Sequence, residues 1–381
     1  MIKQNIAANY ASRAWGFISV YLFIPLYLKF LGIEAFGLVG FYSTLAGVLA
    51  FADMGFSATL TREMARLSAL NDSAKEMSDL LKTYETIYFI ISVAIVSLIW
   101  FSAPLIAQYW LRAEHLQPNE ITWVIRLMGI SIALQMPAGL YYGGLMGLER
   151  QVRANILQIS WSLFRGVGAV LVLWLYSPTI IAFAAWQLIS NSFYCYLVRY
   201  NLWHMLSLDA IKPKFKFQAF KNTWHYAAGM ACMALISILL TQTDKLAISK
   251  ILPLEMLGYY SLAGTLAAVI ISFGGPIAQA VFPRLTALRA LNDKDSLIHT
   301  YHRYCELISV VIMPVAFTLI FFSDNLIFVW TGSTMVAQKS GLVASLLIGG
   351  QLMQTMTVIP YYLALAHGDV KLNIKVGIIS L

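Results

Sequence analysis

Long apolar runs separated by short polar segments recur along almost the whole chain. Ten of them fall at about 9–29, 36–57, 83–107, 121–143, 155–176, 180–200, 223–249, 257–281, 305–325 and 340–364. Each is long enough for one bilayer crossing, since a hydrocarbon core about 30 Å thick requires roughly 20 apolar residues of helix. An eleventh run begins near Asn373 and extends to Leu381. Lipid offers no partner to free backbone N–H and C=O groups, so only helices and closed barrels span it. Barrel strands are short and alternate in polarity, whereas these runs are long and continuous; the pattern predicts an all-α polytopic membrane protein. The first run carries Lys3 and Arg13 at its start, lacks a small-residue cleavage site and leads through "IPLYLKFLG" into the second. It reads as a retained helix, not a secretory signal.

The polar punctuation contains a repeat. "RLSALND" at Arg66–Asp72 returns as "ALRALND" at Ala287–Asp293. At the same offset of 221 residues, Leu31–Ile106 aligns without a gap with Leu252–Ile327, and 21 of the 76 positions are identical. The matches include polar positions that greasiness alone does not explain: Glu34 with Glu255, Thr44 with Thr265, Asn71 and Asp72 with Asn292 and Asp293, and Glu85 with Glu306. A weaker echo links "YYGGL" from Tyr141 to "YYLAL" from Tyr361. Six spans then make one repeat, and an even number returns the chain to its starting side. Two six-helix lobes related by an axis along the membrane normal are expected, 1–210 holding helices 1–6 and 211–381 holding helices 7–10 and the start of 11. On this reading the sequence is truncated within its eleventh helix.

Composition agrees with the pattern: 59% of residues are hydrophobic and 12% charged, against roughly 25% charged in soluble domains. The net charge of +8 is informative through its distribution. With the N-terminus inside, 19 of the 26 lysines and arginines fall on the cytoplasmic face, five fall outside, and Arg126 and Arg165 lie inside spans. That bias sets a cytoplasmic N-terminus and explains the positive charge by topology and anionic headgroups, leaving no case for nucleic acid as a partner. Cys195, Cys232 and Cys305 lack the paired spacing of a zinc site or a disulfide framework, and no metal or cofactor motif is present.

The stretch "NYASRAWGFISVYLFIPLYLKFLGIEAFGLVGFYSTLAGVLAFADMGF", followed by "TREMARLSA", resembles the start of the bacterial polysaccharide flippases. These are the O-antigen exporters within the multidrug, oligosaccharidyl-lipid and polysaccharide exporter superfamily. "TQTDKLAISKILPLEMLGYYSLAGTL" resembles the seventh and eighth spans of the same family. The resemblance implies twelve helices in two lobes in the bacterial inner membrane. It also implies transfer of a polyprenyl-pyrophosphate-linked oligosaccharide from the cytoplasmic to the periplasmic leaflet, coupled to a proton or sodium ion. Polysaccharide polymerase and chain-length proteins are the implied partners, beside membrane lipid.

Such a cargo calls for cationic and hydrogen-bonding side chains inside the bilayer. Arg165 lies about ten residues into the fifth run, about 15 Å deep at 1.5 Å per residue. A guanidinium there costs at least about 2.5 kcal/mol to insert, so it faces a wet cavity, carbonyls or an acid on another helix. Arg126 lies about 8 Å below the outer boundary, shallow enough to snorkel. Arg13 and Asp53 come at similar depths on antiparallel neighbours; they form an inner gate, a structural ion pair, or a direct contact with cargo. Asp244, in "TQTDKL", is the candidate for the coupling ion, with a solvated helix end as the alternative. Gln135, Gln158 and Gln242 are the amides singled out for sugar contact, alongside Gln187, Asn191, Gln279, Gln351 and Gln354, some of which serve as interhelical glue. Tyr10, Trp15, Trp100, Trp110, Trp123, Trp203, Trp224 and Trp330 sit near span ends as an interfacial belt. Pro25, Pro137, "GGP" at 274–276, Pro314 and Pro360 are expected to bend or hinge their helices. Lys82 with Glu85 and Arg303 with Glu306 form i, i+3 pairs expected to be solvated and structural.

Two other functions compete. A drug exporter of the same superfamily would favour acidic residues for cationic drugs. A polytopic polysaccharide polymerase or glycosyltransferase would bring a large outer loop and a catalytic constellation, neither of which is seen here.

Overall fold

The computed structural model describes residues 2–68, 74–206, 213–216, 235, 238–239, 241–291 and 293–366. The eleventh run, most of the seventh, Cys232, Trp224, the lobe boundary at 210/211 and the Asn71–Asp72 and Asn292 positions of the doubled phrase lie outside the described residues, as does the side chain of Gln279. Within them the chain is helical: α1 (Ile2–Leu49), α2 (Phe56–Ser68), α3 (Ala74–Leu105), α4 (Pro118–Gly147), α5 (Gln151–Leu175), α6 (Ile180–Met205), α7 (241–251), α8 (Leu254–Ala290), α9 (Lys294–Phe321), α10 (Ser323–Thr331), α11 (Thr334–Met356) and α12 (Val358–Ala366). No strand forms among the described residues; a lone backbone bridge joins Arg112 to Pro253. Among the described residues, eight helices are long and apolar enough to cross a membrane. They account for the ten expected runs once two facts are added. The first two runs share α1, and most of the seventh is not described.

The first two runs part at Gly32, whose φ of 77° interrupts the helical backbone of α1; a side chain there would be strained by that conformation. A short 3-10 turn, Ala50–Asp53, then leads through positive φ at Met54 and Gly55 into α2. α1, α4 and α9 continue through Pro25, Pro137 and Pro314, α8 runs through 274–276, and Pro360 sits in the first turn of α12. A lost i→i−4 bond is tolerated inside a long packed helix, whereas a left-handed residue ends the repeat of helical dihedrals outright.

The chain divides into two compact units, Met1–Glu255 and Met256–Leu381. In the first, α2, α3, α4 and α6 enclose an apolar core in which Phe56, Leu60, Met64, Leu81, Tyr84, Tyr88, Leu140, Leu145 and Leu202 are buried. Small residues let α2 approach α4: a Cβ on Gly147 would lie 2.4 Å from the Thr61 carbonyl oxygen, and the Thr61 hydroxyl donates to the Gly143 carbonyl at 2.9 Å. This is the small-xxx-small packing by which helices associate in lipid. In the second unit, Val281, Leu285, Leu288 and Leu297 pack with Leu363 and Ala366. Large apolar side chains such as Phe101 and Val329 stay about four-fifths exposed, as a surface solvated by acyl chains requires.

Candidate functional site

Between α4, α5 and α6 of the first unit lies a cavity of about 200 Å³. α4 contributes Gln135, Ala138, Gly139 and Tyr142; α5 contributes Gln158 and Trp161; α6 contributes Asn191 and Tyr194. On each helix the lining residues stand three or four apart, so each helix turns one face inward. Gly139 keeps the wall open, since a Cβ there would meet only the Ser57 hydroxyl, at 3.9 Å. Trp161 and Tyr194 stack with centroids 4.5 Å apart and an angle of 22° between their planes.

The polar groups are partly committed and partly not. The Gln135 amide donates to the Tyr42 hydroxyl, which lies 3.4 Å from the Ser131 hydroxyl, and the Asn191 amide donates to Ser131. This chain fixes the two amides. The Asn191 Oδ1 and the Trp161 Nε1–H are buried and unmatched by any described protein partner. Buried polar atoms without partners are costly, and in a cavity they are the groups a ligand or water satisfies.

Arg165 follows Trp161 by one helical turn, and its guanidinium carbon sits 4.4 Å from the Trp161 ring centroid. Its carbonyl accepts from the Trp186 indole at 3.1 Å. Among the described residues no carboxylate lies within ion-pair distance of it, so an aromatic face stabilises the charge in place of an acid. Gln135 and Gln158 are thus brought together, whereas Arg165 is not among the lining residues and adjoins them only through the ring of Trp161.

The other expected residues sit apart from this cavity. Arg13 is exposed and makes no ion pair with Asp53. It interacts electrostatically with the hydroxyl of Tyr142, a lining residue. Asp53 accepts hydrogen bonds from Ser57 and Tyr88. Arg126 is housed by Trp100 and Trp123, 4.7 and 5.2 Å from their ring centroids, with its Nε donating to the Trp100 carbonyl. Gln242 packs on Gly47 of α1, and Asp244 is exposed on α7.

Sequence reasoning passed over Trp161, Tyr142, Tyr194 and Tyr42. The signal available was the i, i+3 spacing that sets Trp161 beside Gln158 and Tyr194 beside Asn191. It also underestimated Glu85. The Lys82–Glu85 pair forms at 3.2 Å, yet the same carboxylate accepts from Arg199 at 2.5 Å, Tyr141 at 2.7 Å and Trp203 at 3.4 Å, tying α3, α4 and α6 together. Arg303 and Glu306 form no such pair among the described residues. Among the described residues no cluster of three or more His, Cys, Asp or Glu converges as a metal site would.

Residues 28–337 match the model of a family of polysaccharide biosynthesis proteins. A Shigella flexneri protein described as an O-antigen transporter is 23% identical over 348 residues, 90% of this chain and 79% of that protein. The succinoglycan biosynthesis transport protein ExoT of Rhizobium meliloti is 24% identical over 263 residues, covering 68% of this chain and 51% of the relative. Among solved structures, the lipid II flippase MurJ in its inward closed conformation superimposes with a TM-score of 0.71 at 16% identity, over 97% of this chain and 77% of that one. An inward-facing multidrug resistance MATE family transporter gives 0.70 at 12% identity, over 96% and 86%. At these identities the solved structures speak for the fold. The family match covers most of the chain: it belongs to the family of polysaccharide biosynthesis proteins.

Proposed function

We propose that the chain moves a polyprenyl-pyrophosphate-linked oligosaccharide from the cytoplasmic to the periplasmic leaflet of the bacterial inner membrane. The observation that carries this reading is the first-unit cavity, lined by two fixed amides and two stacked aromatic rings with two unmatched polar atoms. One of those rings, Trp161, carries on its face the Arg165 guanidinium, which has no acid partner among the described residues. Sugars present hydroxyls to amides and C–H faces to aromatic rings, and Arg165 suits an anionic group carried with them. Alternating access by two lobes, 1–210 and 211–381, supplies the movement, and the offset repeat supports their equivalence. Asp244 is the site proposed for a coupling proton or sodium ion, and Arg13 and Asp53 belong to the inner gate. The relatives named for O-antigen and succinoglycan transport support the cargo class. A cationic drug would call for a carboxylate, and none of the cavity's lining residues is acidic.

The test is genetic. Deleting the gene is expected to leave lipid-linked repeat units on the inner leaflet, and Arg165→Ala at equal expression is expected to restore export less than the unaltered gene does. Full rescue by Arg165→Ala would remove that residue from the mechanism. Drug sensitivity with normal glycan export would replace the reading by drug efflux.

A further inference from the structure

In the second unit a larger cavity, about 540 Å³, opens where the end of α8 meets the start of α9. Arg284 enters it from α8, while Ser296, His299, Thr300 and Arg303 enter from α9 at i, i+3, i+4 and i+7, a single helical face. Tyr304 and one carboxylate, Asp295, complete the lining. Neither guanidinium lies within ion-pair distance of a carboxylate among the described residues. Asp293 attracts Arg284 from longer range, but its carboxylate caps α9 by accepting from the Ser296 amide at 3.1 Å, and those hydrogen bonds hold it below the usual carboxylate range.

The 221-residue offset shows what is unusual here. Arg284, Thr300 and Tyr304 correspond to Glu63, Asp79 and Thr83. In the first unit Glu63 pairs with Arg66 at 2.8 Å, while Asp79 and Thr83 carry a basic strap: the amides of Lys214 and Lys216 donate to them at 2.7 and 3.0 Å, and the Lys216 ammonium pairs with Asp79 at 2.7 Å. The second-unit groove has the opposite sign, so the occupant it suits is an anion. Arg284 lies three residues past the span ending near 281, and Arg303 two residues before the span starting near 305, which sets both at headgroup depth.

We propose that this groove binds the phosphate of a membrane lipid headgroup, with Arg284 and Arg303 as charge-assisted donors and the α9 hydroxyls completing the set. The chemistry is shared by a phospholipid phosphodiester and a polyprenyl pyrophosphate. The proposal stands independently of the cargo reading, because it requires only a lipid-borne phosphate.

The experiment titrates the detergent-purified full chain with phosphatidylglycerol, a polyprenyl pyrophosphate, phosphatidylcholine and inorganic pyrophosphate, and counts retained ligand by native mass spectrometry. Arg284→Gln with Arg303→Gln is expected to weaken retention of the two anionic lipids about tenfold or more. Arg289→Gln with Lys294→Gln, an equal charge change outside the groove, is expected to leave it unchanged. Preference for the polyprenyl pyrophosphate would make the groove a cargo-lipid site; equal retention of phosphatidylglycerol would make it a bulk-lipid site; both sustain the proposal. If the first pair fails to fold, a photoactivatable phosphatidylglycerol on the unaltered protein is expected to label peptides spanning 284–304. Retention by the folded Arg284/Arg303 variant equal to the unaltered protein, inorganic pyrophosphate binding as tightly as the lipids, displacement of both lipids by oligoglutamate, or no label on those peptides would each overturn it.

Discussion

Arg165 is held by an aromatic face, with no opposite charge beside it among the described residues, and this sets how it responds to substitution. Lysine keeps the charge but loses the planar guanidinium that lies on Trp161, so Arg165→Lys is expected to restore export only in part, above Arg165→Ala and below the unaltered protein. Gly139→Leu probes the cavity from the other wall. A side chain there meets little, so folding and expression are expected to hold while filling the cavity lowers export; normal export with a filled cavity would separate the cavity from transport. Glu85 tests structure rather than transport. Glu85→Ala strips an acceptor from the buried Tyr141 hydroxyl and from the Trp203 indole, and a loss of about 2 kcal/mol or more is expected as a lowered Tm in detergent.

At the scale of elements, the Glu34 carboxylate shows how one side chain positions a loop. It accepts from the amides of Glu114, His115 and Leu116 at 2.7 to 3.5 Å, holding the α3–α4 connection against α1 just past the Gly32 break. Glu34→Ala is expected to raise hydrogen exchange at those three amides while leaving α4 protected. The strap at 213–216 has its own pH behaviour. The hydrogen bond and charge of Asp79 raise the Lys216 pKa above its ordinary value, so the pairing contributes fully below the unfolded lysine value of about 10.4 and is lost only as pH rises through the higher folded one. Protection of the Lys214 and Lys216 amides is therefore expected to stay constant between neutral and mildly alkaline pH, and to fall in Asp79→Asn. The spans themselves were legible because their length follows from bilayer thickness, which acts on every run alike. The α1 break at Gly32 falls in the gap between the first two runs, where the pattern placed it.

At the scale of the whole molecule, depth was readable and azimuth was not. Counting residues into a span put Arg13 beside Asp53, but depth says nothing about which way a helix faces, and Asp53 turns to Tyr88 and Ser57 instead. The same limit hid the grouping of Gln135 and Gln158 with Trp161, Asn191 and Tyr194, which depends on three helices each turning one face to a shared cavity. Family membership was legible in long diffuse stretches, because a transporter's helix-packing surfaces constrain many positions weakly and few strongly. The most direct test places the purified chain in liposomes that carry a polyprenyl-pyrophosphate-linked oligosaccharide in both leaflets, and adds a membrane-impermeant oxidant of sugars outside. The account predicts that oxidation proceeds beyond the outer leaflet's share to nearly all of the glycan, and more slowly with Arg165→Ala. Oxidation that stops at the outer leaflet's share, as in liposomes without protein, would contradict it.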